Sequence, residues 1–390
     1  MLRGYVDTIS PTQISGWALD DTDLKRPINV QVFVNGVEYS SPRADTLRED
    51  LQRELGFGHH GFRFEFNPPL PVFRDHRVVV RYAGTERSLP NGERTLQAIA
   101  PQQQRLLQPI LVTAPGRGGS TILMQRLAAH PAVVAADLYP FETELLKYYG
   151  HAFRILTAPG DHERSGKPET FVDNHRFLGA NPYNVDAFAK AFKDRAQFDA
   201  VFQTVVPRDT SVAFRSIISA FYDSAAADQS KPAPLFFAEK CQLAGLARWF
   251  ARSLFSNTRE IVLVRDARDT LCSYRTFWSQ PTADSIRLLQ IACDALIAVR
   301  SEQREDVLIV RYEDMIASEA ESLHRVATFA GICDFAPPNA EAEQALFAQH
   351  STSKSPADSI GRWKRELTVE DVRASTAAFA PFLEMFGYEV

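Results

Sequence analysis

The stretch PILVTAPGRGGSTILMQRLAAH, Pro109 to His130, decides the fold. Ile110, Leu111 and Val112 make the short apolar run of a buried parallel strand. Ala114-Pro115-Gly116-Arg117-Gly118-Gly119-Ser120-Thr121 follows, small residues with Arg117 as the single charge. Ile122, Leu123, Leu127 and Ala128 then recur at helical spacing. Strand, glycine-rich turn and helix in that order aim backbone N–H groups and a helix N-terminus at whatever sits in the turn. That is an anion site, best matched to phosphate or sulfate. A Walker loop carries a lysine before its hydroxyl residue, and none precedes Ser120 or Thr121. A flexible turn leading into a core helix is the plainer alternative, but it has no need of an arginine among glycines followed by paired hydroxyls.

Downstream, apolar runs at 199–205, 235–238, 260–264 and 307–310 alternate with helical patterns at 184–194, 211–227, 242–254, 284–302, 314–330 and 369–379. With the helix at 120–129, this alternation predicts an α/β fold, a parallel sheet flanked by helices. Ile286, Leu289, Ala292, Cys293, Leu296 and Val299 form a helical stripe that reads as core. Loops rich in Pro, Gly and charge are expected at 158–169 and 228–234.

The segment Arg259 to Tyr274, REIVLVRDARDTLCSY, carries a second anion site. A buried strand ends at Arg265 and a helix begins near Asp269, so Arg265 stands at the carboxyl end of a strand, where open α/β sheets bind ligands. Ser273, one to two turns into that helix, can share a phosphate with it through charge-assisted bonds. The competing explanation is an arginine paired with Asp266 or Asp269.

Together these stretches resemble sulfotransferases that use 3′-phosphoadenosine 5′-phosphosulfate (PAPS). That family's 5′-phosphosulfate loop runs basic residue, small residue, Gly, Ser/Thr, Thr, here Arg117-Gly118-Gly119-Ser120-Thr121. The resemblance makes Arg265 and Ser273 the 3′-phosphate ligands, with Ala267 where a proline is common. Val310-Arg311-Tyr312-Glu313-Asp314-Met315 resembles a structural strand-end element. Ser359 to Leu367, SIGRWKREL, looks like the loop that folds over the nucleotide. It implies nucleotide contacts from Gly361 and Arg362 or Lys364, and Trp363 as adenine cover or loop anchor. The elements stand in the family's order over roughly 109 to 368.

Sulfuryl transfer needs an in-line acceptor, a base and cations for the developing charge. It uses no nucleophilic side chain and no bound Mg2+, and no metal is expected. Arg117 is the first cation candidate, with an electrostatic role. Lys240, in Phe237-Ala238-Glu239-Lys240, resembles the family's active-centre "EK" element; a solvated lysine paired with Glu239 is the alternative. Glu142, in Leu138-Tyr139-Pro140-Phe141-Glu142-Thr143-Glu144, stands where similar sulfotransferases carry a catalytic Glu. Partial burial would raise its pKa and suit it to the task; a helix-dipole role is the alternative. Asp137 and His175 are the reserves.

The first 98 residues differ. Ile28 to Val34 alternates and runs into Asn35-Gly36, a hairpin signal, and 61–66 and 77–82 are strand-like. A small β-sandwich over 1–98 is expected, with a short helical turn at 47–55, a Gln-rich linker at 99–108 and the large domain at 109–390. Gly4-Tyr5-Val6-Asp7, Ile14-Ser15-Gly16-Trp17-Ala18 and Gly61-Phe62 resemble a β-domain attached to bacterial polysaccharide glycosyltransferases and sulfotransferases. That implies a bacterial enzyme with a carbohydrate or glycoconjugate acceptor, consistent with peripheral contact with a membrane-linked glycan. Trp17 reads as a core plug before a sugar platform, and His59-His60 as a loop pair before a metal site.

Composition sets the remaining bounds. The chain has 390 residues, 45% of them hydrophobic, with 43 basic and 48 acidic residues and a net charge of −5. Two domains are expected, with no nucleic-acid binding. No apolar run reaches the roughly 18 residues of a spanning helix. The start lacks the apolar segment of a secretory signal, so a cytoplasmic protein is expected. Cys241, Cys272, Cys293 and Cys333 read as reduced core thiols. A P-loop small-molecule kinase and a non-catalytic glycan- or partner-binding protein with a degenerate nucleotide fold are the other classes. The first lacks the Walker lysine, and the second has no reason to keep Arg117, Ser120, Arg265 and Ser273.

Overall fold

The computed structural model describes residues 1–66, 69–98, 106–157, 204–242, 246–337 and 352–390. The expected loop at 158–169, the helix at 184–194 and His175 lie outside the described residues. Of the strand expected at 199–205, only Thr204 and Val205 are described, and they lead into a helix instead. The chain forms two compact units. One comprises Met1–Gln104, Tyr148–Ile217 and Arg252–Ser256; the other comprises Arg105–Lys147, Ile218–Ala251 and Asn257–Val390.

In the first unit, alternation becomes two antiparallel sheets. The elements in order are β1 (Leu2–Ile9), β2 (Gln13–Asp20), β3 (Val30–Val34), β4 (Val37–Ser40), β5 (Thr46–Leu47), α1 (Glu49–Leu55), β6 (His59–Glu65), β7 (His76–Tyr82) and β8 (Ser88–Leu96). The sheets run β1-β2-β6-β5 and β4-β3-β7-β8. Val6, Ile14 and Phe62 from the first sheet and Val32, Val78 and Val80 from the second belong to one buried core. Asn35 and Gly36 both take positive φ, 51° and 85°, the turn that joins β3 to β4 without splaying them. Trp17 is not the core plug expected: it is half-buried, and the core cluster excludes it, because Ile14 and Ala18 hold the inward positions of β2.

The second unit is built on five parallel strands. The remaining elements of the chain, with α3, α4 and α5 divided between the units, are β9 (Gln108–Ala114), α2 (Ser120–Ala129), β10 (Val133–Val134), α3 (Leu145–Thr157), α4 (Val206–Asp228), β11 (Phe236–Gln242), α5 (Leu246–Leu254), β12 (Arg259–Val264), α6 (Ala267–Trp278), α7 (Thr282–Ser301), β13 (Val307–Arg311), α8 (Tyr312–Ala317), α9 (Glu319–Ala330), α10 (Trp363–Glu366) and α11 (Val369–Met385). Sheet order is β10-β11-β9-β12-β13. From β9 the chain moves toward β10 on one side; from β12 it moves toward β13 on the other. The switch point therefore lies between the carboxyl ends of β9 and β12, where an open α/β sheet leaves a crevice. The helix expected at 314–330 is broken at Ser318 into α8 and α9. Cys333 is exposed, against the expectation of a core thiol, because it follows the left-handed Gly331 that ends α9; the other three cysteines are buried.

Candidate active site

The loop after β9 reaches the switch point. Gly119 caps α2 in the left-handed region, φ 91°. A Cβ there would stand 2.4 Å from Tyr312 Cδ2, so only glycine fits. Ser120 and Thr121 open α2 and are buried. The first N–H groups of a helix have no carbonyl behind them within the helix, and they face this crevice. Arg117 also takes positive φ, 65°, an uncommon conformation for a residue with a side chain. Its guanidinium lies 4.3 Å from the centre of the Phe277 ring, and its Nε donates to Ser273 Oγ at 3.0 Å.

The arm across the crevice comes from β12 and α6. Arg265 is only 5% exposed. Its Nη1 donates to the Arg117 carbonyl at 3.1 Å and its Nη2 to the Ser359 carbonyl at 2.5 Å. Its buried Nε has no partner among the described residues. It is therefore not the ion-pairing arginine of the alternative explanation. Asp266 is bound by Arg268 instead, whose Nη2 stands 2.8 Å from Oδ2. Ser273 Oγ, bonded to Arg117, also meets Thr352 Oγ1 at 3.1 Å, and Arg362 Nη1 donates to the same Thr352 at 2.8 Å. Burial pushes the Arg117 guanidinium pKa down, and the neighbouring charges of Arg265 and Arg362 push it the same way. Three guanidiniums gathered this closely disfavour one another unless an anion joins them.

Arg362 is anchored by Glu366, whose carboxylate it holds with two bonds at 2.9 and 2.7 Å. Trp363 packs a face on the Arg268 guanidinium, 3.8 Å away, which gives it the anchoring place in the loop. Lys364 turns to Glu389 at 2.6 Å.

The expected catalytic groups meet on the other flank of the loop. Lys240 on β11 donates to Glu142 Oε1 at 2.6 Å and to Thr121 Oγ1 at 3.2 Å. Glu142 lies in the irregular segment before α3, outside any helix, and its neighbour is an ammonium rather than an apolar wall. Glu144 pairs with Lys147 at 2.9 Å, and the exposed Asp137 acts on Lys231, so neither joins the group.

Residues not singled out from the sequence support these. Glu239, wholly buried on the opposite face of β11, accepts the Tyr222 hydroxyl at 2.5 Å and the Leu146 N–H at 3.0 Å. Tyr222 also reaches Thr143 Oγ1 at 3.2 Å, so two residues of one strand hold the 142–146 segment. Burial pushes the Glu239 carboxyl up to about 7, against the pull of those bonds. A carboxylate inside the apolar run Leu235 to Ala238 and onward was the available signal. Phe277 and Trp278, beside Arg117 and Gly116, were likewise not anticipated. No group of three or more metal-ligating side chains occurs among the described residues.

The sulfotransferase family model matches residues 109–337, more than half the chain. The chain belongs to the sulfotransferase family. No curated protein matches it closely enough to count as a relative. Among solved structures, this sulfotransferase is 18% identical to the sulfotransferase domain of the Synechococcus PCC 7002 olefin synthase, with TM-score 0.45 over 75% of this chain and 100% of that one. Sulfotransferase STF9 from Mycobacterium avium is also 18% identical, with TM-score 0.38, covering 75% of this chain and 79% of its own. Mouse sulfotransferase SULT7A1, solved with PAP, is 13% identical, with TM-score 0.34, covering 71% and 84%. No helix among the described residues is long and apolar enough to cross a membrane.

Proposed function

We propose that this sulfotransferase moves a sulfuryl group from PAPS to a hydroxyl of a carbohydrate or glycoconjugate. The observation that carries the donor assignment is Arg265: a buried guanidinium with an unsatisfied Nε, joined through Arg117 to Ser273 and to a second anion-seeking loop. A nucleotide with one phosphate at each end of its ribose supplies an anion to each. Arg265 and Ser273 take the 3′-phosphate; Arg117 and the N–H groups opening α2 take the 5′-phosphosulfate. The bound donor supplies an already activated sulfuryl group.

The chain's own residues do the rest. Arg117 and Lys240 offset charge on the transferring group and the leaving phosphate. Lys240 reaches both Thr121 and Glu142, which places a cation between loop and carboxylate. Glu142 takes the acceptor proton as the oxygen attacks in line. The carbohydrate acceptor is supported by the likeness of the first 98 residues to β-domains attached to polysaccharide-modifying enzymes. Radiolabelled PAPS incubated with the protein and a panel of glycans tests the reading: label transferred to a glycan supports it. Label carried only by non-sugar alcohols would overturn the acceptor class, and magnesium-dependent ATP turnover in its place would overturn the reaction.

A further inference from the structure

We propose that Asp269 is a positioning residue for the nucleotide: it latches the 359–363 segment against α6 and so completes the wall of the Arg265 site. The inference rests on the nucleotide reading above.

Asp269 lies one turn after Arg265, is 1% exposed, and neither phosphate arm uses it. Both its oxygens are engaged by the segment's backbone: Oδ2 accepts from Gly361 N at 2.7 Å and Oδ1 from Trp363 N at 3.0 Å. The same segment offers the Ser359 carbonyl to Arg265, while Ser359 Oγ meets the Tyr312 hydroxyl at 2.9 Å. It also carries Arg362, whose Nη2 reaches Thr276 on α6 at 3.3 Å. Lifting 359–363 would therefore strip Arg265 of one of its two carbonyls and withdraw Arg362 from the cluster. A buried carboxylate bonded to two N–H groups is a costly arrangement that repays itself only by fixing backbone.

The charges acting on Asp269 are Arg265, which favours its ionised form, and Asp266, which opposes it. Arg268 pairs with Asp266, and Arg362 with Glu366. Burial dominates and pushes the Asp269 carboxyl up to about 6. Protonation turns one acceptor oxygen into a hydroxyl and releases one of the two N–H bonds.

Calorimetry with adenosine 3′,5′-bisphosphate, from pH 5 to 8, compares the full chain with Asp269→Asn. At pH 7.5 the variant is expected to bind roughly tenfold more weakly. The difference should close toward pH 5, where the wild-type carboxyl is itself protonated. Equal affinities at pH 7.5, or a difference that ignores pH, would overturn the latch. No binding by the wild type would overturn the nucleotide reading, and the latch's role with it. Should Asp269→Asn not fold, amide exchange of ligand-free wild type decides. Protection at Gly361 and Trp363, corrected for intrinsic rates, is expected to fall as pH drops through about 6; flat protection would sink the idea.

Discussion

The β-sandwich of the first 98 residues and the parallel-sheet unit treat charge in different ways. In the sandwich, ion pairs stay at the surface: Arg3 with Asp21 and Arg77 with Glu93, each at 3.4 Å between exposed side chains. Its buried imidazoles are His60 and His76, 1% and 3% exposed, with both ring nitrogens of His60 unpartnered among the described residues. In the parallel-sheet unit, Glu239, Glu260, Arg265, Arg268 and Asp269 are all buried. Taking a charge out of water costs several kcal/mol, so a fold that does so repeatedly must match each one. Here the carboxylates are matched by backbone N–H groups, hydroxyls or arginines, whereas Arg265 keeps an open donor. Full burial of charge is thus a feature of the parallel-sheet unit, while the sandwich keeps its ion pairs at the surface.

The sharpest way to break that contrast is at Glu142. Glu142→Gln is expected to lower single-turnover transfer by about 10³-fold while leaving nucleotide affinity intact; full activity would move the base to another residue. Arg265→Ala follows, with affinity for adenosine 3′,5′-bisphosphate expected to fall roughly hundredfold, read by calorimetry. Undiminished affinity would remove the 3′-phosphate assignment.

Acid probes the sandwich. Burial and the neighbouring His59 hold His60 below the ordinary imidazole pKa of 6.5, and burial does the same to His76. The unfolded chain then binds protons that the folded sandwich refuses. Stability should therefore fall as pH drops below about 6.5, and keep falling until the folded-state values are passed. Amide exchange in β6 and β7 between pH 8 and 5 checks this; unchanged protection would mean that the histidines find partners on charging. The smallest effect is expected from Arg77→Ala, under about 0.5 kcal/mol in urea unfolding. A loss several times larger would show that surface pairs in the sandwich carry more than the contrast allows.

What the sequence reveals follows from the range of the interactions. The 120–129 helix, the strands at 235–238, 260–264 and 307–310 and the Asn35-Gly36 hairpin are local patterns, and they stand where periodicity and turn chemistry put them. β1 and β2 escape the pattern because Gly4 and Gly16 interrupt it. Gly16 sits where a Cβ would come 2.4 Å from the Tyr5 carbonyl, so the strands need the residue that hides them. Arg117, Lys240, Glu142, Arg265 and Ser273 were legible as chemical types in suggestive places, yet their meeting is non-local. Lys240 and Glu142 are 98 residues apart, Arg117 and Ser273 156. Asp269 is invisible as a site residue because its partners are backbone N–H groups, that of Gly361 92 residues away, which no side-chain motif records, whereas Glu239 is marked only by a carboxylate in an apolar strand.

On the proposed nucleotide reading, the bond from Arg265 to the Arg117 carbonyl, together with the return bond from Arg117 to Ser273, would make the crevice a gauge of length. Neither anion seat can shift without dragging the other, because main chain and side chain of one residue are pinned at both. A nucleotide with a single anionic end would fill one seat and seal the other from water, with the Arg265 Nε still unmet. On that reading the penalty for the wrong molecule would fall at docking, before any bond is made or broken, and a nucleotide without the second phosphate would be turned away by its shape in charge.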